Sequence, residues 1–471
     1  MQVFWKKTII IAIAILLCGS CSSDGRESVE VVQPTPEPPV VVNPEPPENN
    51  YTDQEMIEMI QKDSEKYFWD YAESNSKLAR ERYHNDKPSE DANVISVGGS
   101  GFGIMNILVG IKNGHLSRVE AVSRLTTALN FLEKADRFHG AWPHWIDGNT
   151  GKVIPFSSQD DGADLVETAF LSQGLICIRE FFKDSSNTTE TALSIKADEL
   201  WKGVEWNWFT NNENVLHWHW SPNYNFNINL EIRGYDETLI TYILAASSPQ
   251  YSINKQVYQQ GWARNGNIKN SATQYGIPLV VNHNGISGNV GPMFWSHYSF
   301  LGLDPRGLYD EYVNYEDATT NHAKIMYQYC VNNPAGWQGY NSDSWGLTSS
   351  YSLNADGTTG YYAHQPTKDI GIIAPTAALS SMPYIPNESI NVLRYLYNQN
   401  KSKYVGFAGP YDAYSVHYNW LTPRYLAIDQ GTISPMVENY KTQFLWNLFM
   451  NASDIRDGLV KLGFHSSKHG F

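Results

Sequence analysis

The feature that most constrains this chain is the spacing of its apolar residues, which from residue 53 onward follows the helical period in segment after segment. Recurrence at i, i+3, i+4 and i+7 marks one face of a helix, and strict alternation marks a strand. The clearest helical segments cover about 53–74, 101–113, 117–136, 162–183, 188–206, 235–247, 252–264, 315–332, 371–381, 387–399 and 434–450. Alternating stretches are few and short, such as 278–282. Thr52-Asp53, ahead of QEMIEMIQKDSEKYFWDYAE, reads as an N-cap and sets the start of folding. The connections 138–159, 206–232, 333–370 and 401–433 are long and rich in Gly, Pro, Asn and aromatics. Loops of that length are functional or disordered, and these are too aromatic for disorder. Eleven or twelve helices with little sheet and no solenoid repeat predict an all-α toroid of helical hairpins, an α/α barrel, rather than an irregular bundle. The loops would build a cleft at one end.

The N-terminus has a different character. Lys6 and Lys7 precede the apolar run Thr8 to Leu17, which is too short to span a bilayer and reads as the core of a secretory signal. Gly19-Ser20-Cys21 resembles a lipobox, with Cys21 the lipidated residue. Residues 24–50 carry seven prolines and read as an extended spacer. The expected organisation is therefore a signal over 1–20, a lipidated N-terminus and linker over 21–50, and one domain over 51–471. The protein would be exported and anchored to a membrane through lipid. Cys177 and Cys330 lie in apolar helical runs and read as two separately buried thiols.

A formal net charge of −15 argues against nucleic acid, whose phosphates require a basic surface. An uncharged polymer carries no such penalty. The 15 Trp and 29 Tyr supply flat rings with an apolar face and a polar edge, which suit sugars.

Three stretches place acids at the mouths of apolar helices. In Ser157–Thr168, Asp164 and Glu167 stand three apart and share a helix face, while Asp160 or Asp161 reads as the cap. In Asn229–Thr238, Asp236 reads as a cap and Glu237 as the catalytic candidate. In Leu426–Tyr440, Asp429 falls in a Gly-containing turn; Glu438, on the next helix, is either a site acid or a core acid paired with an Arg. Around them lie Trp142-Pro143-His144-Trp145, His217-Trp218-His219-Trp220, Phe294-Trp295-Ser296-His297-Tyr298 and Asp304-Pro305-Arg306, candidate platforms for sugar rings. One His-x-His pair, 217 and 219, is too little to indicate a metal. No cofactor is expected.

Asp429-Gln430-Gly431…Met436-Val437-Glu438-Asn439-Tyr440 resembles the C-terminal hallmark of the bacterial glucoamylase-like domain. Gly234-Tyr235-Asp236-Glu237, the Asp164/Glu167 pair, and Trp345-Gly346-Leu347 followed by Ile373-Ala374-Pro375 are similar to its other blocks. The combination is most similar to glycoside hydrolase family 144. That resemblance implies an (α/α)6 six-hairpin barrel and inverting hydrolysis of β-1,2-glucan, releasing sophorose or short oligosaccharides. Family members often carry Asn where this chain has Asp236. Other neutral glucans, or glycan binding without catalysis, are the alternatives.

Inverting hydrolysis needs a protonated carboxyl at the leaving oxygen and a base for water on the opposite face. The expected acid is Glu237. Asp429 and Asp164 are both open as base, and Glu167 joins them in the cleft. Trp142, His144, Trp145, Trp218, Trp295, His297, Tyr298, Arg306, Trp345 and Glu438 are the expected sugar contacts.

Overall fold

Thr52 accepts the backbone N–H of Glu55 while the Glu55 carboxylate reaches back to the Thr52 N–H, a capping box that starts the first helix as the sequence predicts. The computed structural model describes residues 48–471, so the signal, Cys21 and most of the linker lie outside the described residues. From this cap the chain runs through α1 (Asp53–Trp69), α2 (Val97–Lys112), α3 (Arg118–Lys134), α4 (Leu165–Phe182), α5 (Thr188–Lys202) and α6 (Leu239–Ser247). It continues through α7 (Lys255–Gln260), α8 (Tyr315–Asn332), α9 (Pro375–Leu379), α10 (Pro386–Arg394), the single turn α11 (Lys401–Tyr404), α12 (Ala427–Thr442), α13 (Phe444–Asn451) and α14 (Ser453–Leu462).

Two kinds of helix alternate. α1, α3, α5, α8 and α10 bury one stripe and expose the other, as amphipathic outer helices do. α4 and α6, and α2 and α12 except for their last turns, are buried nearly all round, as inner helices must be. α2 packs on α4 and α12, α4 on α6, and α9 on α12. Between α6 and α9 the inner wall is the 3-10 stretch Met293–Phe300, joined to the α9 side by His297 to Ser381 and by the Tyr384 hydroxyl to the Ser296 carbonyl. The result is the (α/α)6 ring. It closes between the two ends of the domain: α1 packs on α12, and strand Arg82–His84 pairs antiparallel with Arg424–Leu426.

The inner helices come close because glycine lets them. A Cβ on Gly101 would lie 2.2 Å from the Phe170 carbonyl oxygen, so α2 and α4 could not pack backbone to backbone with any larger residue there. Each buried Leu or Ile along these helices adds about 1.5–3 kcal/mol of burial.

Two differences from the sequence reading have clear causes. The helix expected over 434–450 is instead α12, beginning at Ala427, followed by the separate α13. Gly431 and Pro435 look like breakers, but Pro435 lacks only the N–H that would bond the Gly431 carbonyl, and the Asn106 side-chain amide of α2 takes that carbonyl at 2.9 Å. Asp429 therefore lies in the first helical turn, not in a loop, and Glu438 is on the same helix. The expected loop 333–370 also contains a hairpin, Ser349–Leu353 against Thr359–Ala363. Cys177 and Cys330 are separate buried thiols. Among the described residues no helix is long and apolar enough to cross a membrane.

Candidate active site

Asp164 is the N-cap of α4. A short antiparallel pairing sets it opposite His219, and one oxygen accepts the backbone N–H groups of Val166 (3.0 Å) and Glu167 (2.9 Å). The capping role expected of Asp160 or Asp161 therefore belongs to Asp164. Asp161 accepts from Ser221 and Asn223, and Asp160 faces His219 Nδ1 at 3.4 Å. The free oxygen of Asp164 meets His144 Nδ1 at 2.8 Å. Burial opposes its charge, but the His144 hydrogen bond and the nearby His219 outweigh this and hold its carboxyl below the usual range.

Glu167, one turn on, accepts the backbone N–H of Gly98 at 2.7 Å, at the positive end of α2. Burial first, then the charge of Asp164, lifts its carboxyl to about 7 against the pull of His144. For His144 burial works against the charged ring, yet Glu167 and Asp164 together carry it up to about 9. Asp164 and His144 are hydrogen-bonded, and Glu167 acts on the ring through its charge. His144, Asp160 and Asp164 offer atoms within 4.8 Å of one another, but two of the three already share a hydrogen bond, so the group is a charge-paired cluster.

Glu237 stands on the neighbouring wall, in the turn before α6 rather than on the helix itself. Asp236 caps that turn by accepting the Thr238 N–H at 2.9 Å and its hydroxyl. The Ser299 hydroxyl donates to the Glu237 backbone carbonyl and fixes it from the next inner segment. Among the described residues no other side chain hydrogen-bonds its carboxyl, which is half-buried. Burial, then Asp236, with further repulsion from Glu167 and Asp164, pushes that carboxyl well above the usual range. Such a group keeps its proton near neutrality and is free to give it away.

Asp429 enters from α12. Tyr298 donates its hydroxyl to one oxygen at 3.2 Å, and the other is buried without a donor. The Tyr298 hydroxyl feels the Glu237 charge as well as that of Asp429, so the phenol lies near both carboxyls. Asp412 lies beside Asp429, between the short strands Gly409–Pro410 and Ala413–Ser415. Sequence reading missed it. The only signal was an acid in an aromatic turn, GPYDAYS, with no helix to give it a direction.

The expected sugar contacts divide. Trp145 and Trp218 are partly open: Trp145 packs on Phe156 at 4.8 Å, and Trp218 stacks on His219 at 5.9 Å. Tyr298 is buried against Asp429. Others belong to the framework and correct the sequence reading. Trp142 is fully buried, donates to the Leu132 carbonyl and lies under the Arg137 guanidinium. Trp345 is fully buried and donates to the Glu388 carbonyl. His297 is buried against Ser381, where burial drives its ring down to about 3. Trp295 is nearly covered and packs over Gly291. Arg306 is engaged by Asp304 and lies over Trp446. Glu438 is a core acid, but its partners are Lys112, Asn113, Gln61 and Thr442 rather than an Arg. His217 and His219 turn to different partners, the Phe209 carbonyl and Asp160.

Comparison with known proteins places this geometry among relatives. The Glycoamylase family model, described as a putative glucoamylase, matches residues 229–453. The exo β-1,2-glucooligosaccharide sophorohydrolase (non-reducing end) of Parabacteroides distasonis is 41% identical over 435 residues, a match covering 87% of this chain and 58% of that protein. The chain thus spans little more than half the length of that relative. An endo-β-1,2-glucanase from Chitinophaga pinensis superposes with a TM-score of 0.86 at 50% identity, covering 88% of this chain and 99% of that one. An endo-β-1,2-glucanase from Talaromyces funiculosus shares the fold alone, with a TM-score of 0.61 at 10% identity over 87% of this chain and 92% of that one.

Proposed function

The chain belongs to the bacterial glucoamylase-like proteins of glycoside hydrolase family 144, and on that premise we propose that it hydrolyses β-1,2-glucan to sophorose or short sophoro-oligosaccharides. The observation that carries this reading is a proton-keeping Glu237, whose carboxyl has no side-chain donor among the described residues, near the Tyr298 phenol that donates to Asp429. In the reaction Glu237 gives its proton to the glycosidic oxygen as the C1–O bond breaks. Water attacks C1 from the other face and passes a proton to Asp429, which inverts the anomeric centre. Asp164 is already satisfied by the α4 cap and His144, so it orients Glu167 and the imidazolium rather than serving as base. Half-open Trp145 and Trp218 supply faces for glucose rings. Both relatives at 41–50% identity are named for β-1,2-glucans, which supports that linkage over other neutral glucans.

The test is product analysis on a panel of linear glucans. Reducing sugar from β-1,2-glucan, with inversion seen by proton NMR, is expected. Release from an α-glucan instead would overturn the reading. Disaccharide as the sole product would mean attack from an end, and a ladder would mean internal attack.

The lipobox-like Gly19-Ser20-Cys21 and the proline-rich stretch after it support export and lipidation at Cys21. Metabolic labelling with an alkyne fatty acid should mark the wild type and not Cys21→Ala.

A further inference from the structure

Asp412 and Asp429 are both buried, and each has one oxygen served by a donor: the Tyr351 backbone N–H for Asp412 at 2.6 Å, and the Tyr298 hydroxyl for Asp429. Their remaining oxygens, Asp412 Oδ1 and Asp429 Oδ2, are buried with no donor from any described residue. The two side chains lie within hydrogen-bonding reach of each other. A buried carboxylate oxygen without a donor is costly, and two on neighbouring carboxylates are costlier still. A proton between them removes both penalties.

We propose that Asp412 is a positioning residue for hydrolysis: it shares one proton with Asp429 between Asp412 Oδ1 and Asp429 Oδ2, leaving the pair with a single negative charge aimed at the attacking water. This rests on the reading of the chain as a glycoside hydrolase. Among the described residues the groups around the pair include Tyr298 from the 293–300 stretch, Tyr351 and Tyr361 from the hairpin, Glu81 and Arg82, and Arg424, whose backbone carbonyl accepts the Asp412 N–H and whose guanidinium lies over Tyr351. Burial pushes both carboxyls up; the Asp412 charge raises Asp429 further, while the hydrogen bond with Asp429 pulls Asp412 down, which agrees with one proton retained by the pair near neutrality. As water adds to C1, its proton joins the pair, which then holds two. The glycosidic oxygen leaves with the proton from Glu237, and exchange with bulk water restores both sites.

The shared proton holds the first ionisation of the pair below that of a lone carboxyl in the same buried place. Removing Asp412 leaves Asp429 buried with Tyr298 as its single donor, so it keeps its own proton to higher pH. Asp412→Leu should therefore move the acidic limb of the kcat profile up by at least one pH unit and lower kcat at pH 6 at least tenfold. Asp412→Asn should restore the limb to within half a unit, because its amide replaces the shared proton as donor. Equal losses in both variants with an unmoved acidic limb would reduce Asp412 to a packing residue and overturn the proposal. Wild-type kcat in Asp412→Leu would overturn it as well. Infrared difference spectra at neutral pH read the proton without turnover: Asp412→Asn should lose one protonated carboxyl stretch relative to the wild type. Absence of that band refutes the sharing. Its presence in a protein that cleaves no glucan would retire the hydrolase reading while leaving the shared proton established.

Discussion

His144 Nδ1 sits 2.8 Å from one oxygen of Asp164, and the other oxygen of that carboxylate caps α4 at the N–H of Glu167. One acid thereby fixes both a helix start and an imidazolium. Because a carboxylate only accepts, Nδ1 must carry the proton.

The ring has a pH signature. Its folded value of about 9 exceeds the ordinary 6.5, so its contribution to stability is fully present below about 6.5 and is lost as pH rises through about 9. The Tm difference between wild type and His144→Gln should be largest near pH 6 and nearly vanish by pH 10. A difference independent of pH would show that the ring is not charged in the fold.

Glu237→Gln should lower kcat by about 10²–10⁴ while leaving oligosaccharide affinity close to wild type, because the amide keeps the shape and cannot give a proton. Calorimetric titration with a sophoro-oligosaccharide beside a turnover assay separates the two. Retained turnover removes Glu237 from the mechanism.

Asp429→Asn should abolish hydrolysis, whereas Tyr298→Phe, which deletes one donor to that carboxylate, should cost about tenfold in kcat. Comparing KM and kcat in both variants distinguishes loss of a base from loss of binding. If Asp429→Asn raises KM alone, Asp429 binds sugar and another group receives the proton.

Gly98→Ala is a small change with a local result. The added methyl would lie 2.6 Å from Glu167 Oε2, so the carboxylate must leave the α2 N-terminus. Overpacking of this kind costs about 1–3 kcal/mol. A lowered kcat with a melting temperature reduced by only a few degrees is expected, and unaltered kinetics would show that Glu167 has room to move.

Glu438→Ala should act on stability alone. Four side chains hold this buried carboxylate, and although burial opposes its charge they bring it down to about 2. Removing it should cost about 3 kcal/mol, read by urea denaturation. Its folded value lies below the unfolded one, so the contribution is present above about pH 4.5 and fades as pH falls towards 2. The deficit of the variant should shrink in acid, with kcat per folded molecule unchanged.

The outer helices were legible because each has a wet and a dry side, and the Thr52 cap was visible for the same local reason. Acids opening apolar runs also stood out, since a charge beside a buried stretch needs a partner or a task; that singled out Asp164, Glu167, Glu237 and Asp429. Which Trp stays open was not legible: Trp142 and Trp145 stand three apart in one tetrapeptide, yet one is sealed under Arg137 and the other is half-open. That outcome is set by long-range packing. The start of α12 was hidden because the amide that covers for Pro435 comes from Asn106, over 300 residues away. Asp412 escaped because it sits in a turn whose direction is fixed by Tyr351 and Arg424 on other segments.

The meeting of strand 82–84 with strand 424–426, and of α1 with α12, has a consequence for biogenesis. A chain still emerging from the ribosome holds Glu237 long before residue 429 has been synthesised. The seam that completes the circle joins segments some 340 residues apart, and contacts so remote in sequence form late and slowly. Nascent or C-terminally truncated protein should therefore show helical content without glucan turnover. Activity would appear abruptly at the last stage of assembly rather than growing with chain length.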